Sequence, residues 1–73
     1  METPKWTVIA NIPNEYEGGS FVGQSWEFYN TKLAAEKCYE HHKRINHVPT
    51  MRPYHHATDF KHLHVIDQQL IES

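Results

Sequence analysis

With 73 residues, the chain has room for one domain and no second. Its net charge of −2 excludes the basic excess that phosphate-backbone binders carry. A single cysteine, Cys38, excludes an internal disulfide, and no run approaches the roughly 20 apolar residues of a membrane span.

These limits leave a thin core. Leu, Ile, Val and Phe together number 15, close to the composition at which disorder competes with folding. Four tyrosines and two tryptophans restore apolar area, each aromatic burying roughly 150–250 Å². A chain of this size buries only about 60% of its unfolded surface. Association is a common remedy, so a homodimer or a larger partner is expected. The lack of a disulfide framework, and of an apolar leader behind positive charge, points to the cytoplasm of a cell or of an infected host cell.

Lys5 to Ile12 alternates Trp6, Val8, Ala10 and Ile12 with Thr7, Ile9 and Asn11, which predicts a strand ended by Pro13. Pro13 to Ser20 is a loop. Gly18-Gly19 supplies positive φ for a tight hairpin turn, and a longer loop from Pro13 is equally consistent. The second strand spans Phe21 to Tyr29, with Val22, Gln24, Trp26 and Phe28 expected to face the core. Gly23 marks a bulge or a close backbone approach.

Thr31 to Asn46 reads as a helix capped by Asn30 or Thr31. At 100° per residue, Ala34, Cys38 and Ile45 share one direction, flanked by Leu33, Ala35, His41, His42 and Val48. Lys32/Glu36 and Glu40/Arg44 are i, i+4 pairs of opposite charge. His41 to Arg44 suit the negative end of the helix dipole, and Asn46 followed by Pro49 stops the helix. Pro49 to His56 holds two prolines, which permits only an edge strand or an extended segment. Beyond it, Thr58 or Asp59 caps a further element. His62 to Ile66 is expected as a short strand or turn, with a frayed or helical end. The whole, residues 1–73, is a single α+β domain: a β-hairpin packed by one central helix, an extended or edge strand, and a short C-terminal element.

Seven histidines, all in the second half, are the unusual feature. Neutral imidazole is the commonest protein ligand for Zn²⁺. On a strand, His62 and His64 would project to one face as a two-point chelate, with His41 and His47, or His55 and Asp59, able to complete it. Yet there is no Cys-x-x-Cys and no His-Glu-x-x-His, so metal-ligand spacing is absent and no cofactor is expected in the leading reading. Cys38 lies mid-helix on the apolar stripe, where cysteine is usually inert, and no glycine-rich phosphate cradle exists; a non-enzyme is expected.

A protein-binding role absorbs more of the sequence. Tyr, Met and Arg concentrate at binding hot spots. Met51, Arg52, Tyr54 and His55 occupy a proline-stiffened segment, and Tyr16 lies in an acidic loop. These five are the expected partner contacts of a small regulatory protein. A zinc-binding or pH-responsive module at His62 and His64 is the alternative. Single-stranded nucleic-acid binding through His41 to Arg44 and Arg52, Tyr54 and His55 is weaker, because the net charge is negative.

Overall fold

Alternating β-formers generate three strands, and a computed structural model describes them within residues 3–72. Strand β1 is Trp6–Pro13 and β2 is Phe21–Tyr29. Helix α1, Lys32–Arg44, leads to β3, Val48–Pro53. A four-residue helix α2 (His56–Asp59), a 3₁₀ turn (Phe60–His62) and helix α3 (Val65–Glu72) complete the chain. The strand order is β2-β1-β3, antiparallel throughout. The edge strands therefore run parallel to each other, and α1 is the crossover between them. The proline-bearing strand lies on an edge, where a missing N–H costs no ladder bond.

The hairpin loop is wide. The Asn14 N–H donates to the Ser20 carbonyl at 3.0 Å, and only Gly19 has positive φ, at 83°. A two-residue turn with both glycines at positive φ does not form. Ile12 pairs with Gly23 and Pro13 with Phe21, so Val22 is the extra residue of a bulge beside Gly23.

Helix α1 starts where Thr31 accepts from the Ala34 N–H at 3.2 Å. Such a cap contributes about 1 kcal/mol. It ends in a Schellman motif: Asn46 sits at φ 64°, its N–H reaching Lys43, while the His47 N–H reaches the His42 carbonyl at 2.9 Å. The buried face of α1 is Ala35, Cys38 and His42. The expected stripe through Ala34 and Ile45 is thus rotated. The helix stops before Ile45, which is 45% exposed, and Ala35 and His42, placed at the flank of the stripe, are buried beside Cys38.

Directly paired residues share a sheet face. Trp6, Val8 and Ala10 stand with Tyr29, Glu27, Ser25 and Met51 on one side, and α1 covers it. Val8, Ala35 and Cys38 form the core cluster there, packed by Trp6, Tyr29 and Met51. Thr7, Trp26, Phe28 and Arg52 line the other side, beneath the C-terminal segment. The face of Val22, Trp26 and Phe28, expected to meet the core, lies opposite the core cluster: Trp26 and Phe28 are half-buried, and Val22 is 65% exposed. Both faces of β2 are partly covered from Ser25 to Tyr29, so alternation does not reveal which one the helix takes. Of the short strand or turn expected at His62 to Ile66, the strand does not form: the segment is the end of a 3₁₀ turn leading into α3, the turn with a helical end. Phe60, Leu63, Ile66, Leu70 and Ile71 are spaced for that helical alternative.

Candidate functional site

Arg52 projects from β3 onto the face that α2 covers. Its guanidinium grips Asp59 in a bidentate pair, one bond of 2.8 Å running from Nη1 to Oδ2. Asp59 is fully buried. It also accepts from the Thr7 hydroxyl at 2.9 Å, the His55 N–H at 2.9 Å and the Thr58 hydroxyl at 3.1 Å. Burial opposes its charge, but the bonds from Arg52, His55, Thr7 and Thr58 outweigh burial and hold its carboxyl well below the usual range. Arg52 thus spends its charge on the fold.

The other expected contacts divide. Met51 packs against the core cluster and lines an open groove with Glu36, Tyr39 and Glu40. Tyr54 meets Phe28 edge-on at 5.8 Å, and its hydroxyl lies 3.1 Å from His56 Nδ1. His55 is exposed, with its backbone bound to Asp59. Tyr16 is 97% exposed on the hairpin loop.

His62 and His64 do not converge. The His62 ring stacks on Trp26 with centroids 3.6 Å apart, while His64 Nδ1 accepts from the Ile66 N–H at 3.3 Å. His41 is exposed and His42 buried, which breaks the run from His41 to Arg44 into an outward and an inward part.

A different set of donors does converge, under α1. Cys38 and His42 are four residues apart and leave the helix on one face. Both reach Glu27 on β2. The Cys38 thiol donates to Glu27 Oε2, and His42 Nε2 lies 3.4 Å from the same oxygen. The Tyr29 hydroxyl donates to Oε2 at 3.3 Å. On its far side, His42 Nδ1 lies 2.9 Å from His47 Nδ1, with one proton between them. The Schellman turn delivers His47 to that position.

Burial alone would raise the Glu27 carboxyl, but hydrogen bonds from Cys38 and His42, and the His42 charge, hold it below its ordinary value. Burial and the facing carboxylate push the Cys38 thiol up to about 11. A nucleophilic cysteine needs the opposite shift. Burial, then Cys38 and Glu27, raise the Tyr29 hydroxyl as well. Sequence reasoning placed Cys38 and His42 near one another on α1. It missed Glu27, because the facing of β2 was reversed.

The sheet edges form a second candidate surface. β3 carries Pro49 and Pro53. β2 runs nine residues without proline and with one charge, Glu27. Near its start, Phe21 is 54% and Val22 65% exposed. No helix among the described residues is long and apolar enough to cross a membrane.

These features define a small α+β domain with a three-stranded antiparallel sheet, a partly buried Glu-Cys-His cluster under its helix and one edge strand without proline. Compared with protein-family models, curated proteins and solved structures, the chain matches none.

Proposed function

We propose that the protein is a non-catalytic interaction module that binds a protein partner by accepting an extended segment at the β2 edge, and so modulates that partner. One observation carries this reading: the two sheet edges are unequal. Prolines 49 and 53 blunt β3, whereas β2 offers a long edge whose one charged side chain, Glu27, shares the face that α1 covers. A long edge without proline or outward charge is a ready template for strand addition.

The distribution of apolar surface supports the same reading. Among the described residues the buried apolar ones are Val8, Ala10, Ala35, Cys38 and Leu63, whereas nine large apolar side chains, among them Phe21, Val22 and Tyr16, are exposed. So much exposed apolar area relative to core favours a partner. With Arg52 and Met51 engaged in the fold, the contact centre moves to β2 and Tyr16. A second copy fits the same edge, which makes a homodimer the competing occupant. A single free thiol suits a reducing compartment such as the cytoplasm.

Selection from a displayed peptide library tests this. Peptides with alternating apolar residues are expected to be enriched. The Phe21→Lys/Val22→Lys variant is expected to lose at least about tenfold in affinity, at unchanged circular dichroism. Lack of enrichment, or equal binding by the variant, overturns the reading. Sedimentation equilibrium separates the occupants: a dimer at β2 dissociates when peptide is added.

A further inference from the structure

We propose that Glu27, Cys38 and His42 bind a single zinc-class divalent ion, with His47 and Tyr29 holding two of the three ligands in place. The donor atoms, a sulfur, an imidazole nitrogen and a carboxylate oxygen, all lie within 4.8 Å of one another. Tetrahedral zinc has bonds of about 2.3 Å to sulfur and about 2.0–2.2 Å to nitrogen and oxygen, which sets its nitrogen and oxygen ligands about 3.3–3.5 Å apart. His42 Nε2 and Glu27 Oε2 stand 3.4 Å apart. One turn of a capped helix fixes the other two donors, Cys38 and His42, relative to each other.

The surrounding groups suit ligation. Once the proton between His42 Nε2 and Glu27 is lost to an arriving metal, a proton kept on His42 Nδ1 and donated to His47 leaves the Nε2 lone pair aimed at the site, the tautomer a ligand needs. The Tyr29 hydroxyl orients the Glu27 carboxylate, as does the Ser25 hydroxyl at 3.5 Å from Oε1. Cys38 and His42 are 9% and 7% exposed, while the Glu27 side chain keeps 39%. The site is therefore walled by the protein and open on the carboxylate side, where water can take the fourth position.

A mixed sulfur, nitrogen and oxygen set favours zinc over magnesium or calcium, which take oxygen ligands. On binding, the Cys38 S–H bond breaks, its electron pair forms the bond to the metal, and the proton passes through Glu27 to the buffer. Uptake of each ion thus releases at least one proton. His62 and His64 take no part.

Cobalt(II) titration of tag-free protein purified without a nickel column tests the site. One equivalent is expected to produce a thiolate-to-cobalt charge-transfer band with tetrahedral d–d absorption, and zinc is expected to displace it. Cys38→Ser is expected to abolish the band. Glu27→Gln keeps the shape at a half-exposed position, so it reports on binding even if the buried variants fold poorly. It is expected to weaken cobalt binding at least about tenfold. His62→Ala/His64→Ala is expected to leave the titration unchanged. The proposal is overturned if folded wild-type protein gives no thiolate band, if Glu27→Gln binds cobalt as wild type does, or if His62→Ala/His64→Ala removes the metal.

Discussion

Replacing Asp59 with asparagine puts an amide at the most heavily bonded side chain of the far sheet face. The carboxylate accepts from Arg52, Thr7, Thr58 and the His55 N–H with no exposure to water. The amide nitrogen cannot accept, so it meets donors on one side, and Arg52 loses its counter-charge. Breaking one partner of a buried pair costs about 3–5 kcal/mol. A domain of this length holds roughly 4–11 kcal/mol in total. Each kcal/mol lowers the Tm of so small a domain by about 4–8 °C, so a fall of about 12–40 °C is expected. Differential scanning calorimetry of wild type and Asp59→Asn measures it. The pH dependence supplies a second reading. A depressed carboxyl contributes stability that is full above the unfolded value of about 3.9 and is lost as pH falls below it. Wild type is therefore expected to lose stability below about pH 4, and Asp59→Asn to lack that share of the loss. A cost under about 1 kcal/mol, with identical acid limbs, would refute the assignment of this pair as the clamp of the C-terminal segment.

Three further outcomes follow from local geometry. Thr31→Ala removes the cap on the Ala34 N–H and is expected to cost about 1 kcal/mol in urea titration, with Thr31→Ser nearly neutral. Asn46, at φ 64°, ends α1 in the left-handed region. Asn46→Ala is expected to cost about 1 kcal/mol and Asn46→Gly to cost little, and equal Tm values for the two would contradict the Schellman end. Cys38, raised to about 11, is expected to react with iodoacetamide at pH 8 at least about a hundredfold more slowly than a free thiol, and to reach the free rate in denaturant. The same raised value means that its stabilising share is full below about pH 8.5 and falls as pH climbs toward 11.

The strands, the helix and the edge position of the proline segment were legible because each rests on local signals. Alternation marked β1 and β2, Thr31 marked the start of α1, and Pro49 and Pro53 confined β3 to an edge. The facing of β2 was not legible. Trp26 and Phe28 outweigh Glu27 and Tyr29 in hydrophobicity, so a one-sided reading turns them toward the helix. In the fold the C-terminal segment covers them, and His62 stacks on Trp26. The sequence suggests Thr58 or Asp59 as a cap, and Asp59 does precede the 3₁₀ turn, but its carboxylate makes no cap bond there. Its partners Thr7 and Arg52 belong to strands remote in sequence, and no local pattern announces such a pairing. The Glu27-Cys38-His42 cluster was not legible as a site: the pattern of α1 places Cys38 and His42 on and beside its apolar stripe as packing residues, and the reversed facing of β2 turns Glu27 away from them.

The Thr7–Asp59 bond joins positions 52 residues apart. Contacts of that span form late, because a long loop must close before they stabilise anything. Ribosomes add about 5–20 residues per second. The β1–β2 hairpin therefore leaves the exit tunnel seconds before Asp59 does, with Trp26 and Phe28 bare on one face and the β2 edge unguarded. During those seconds the nascent chain resembles a sticky two-stranded ribbon.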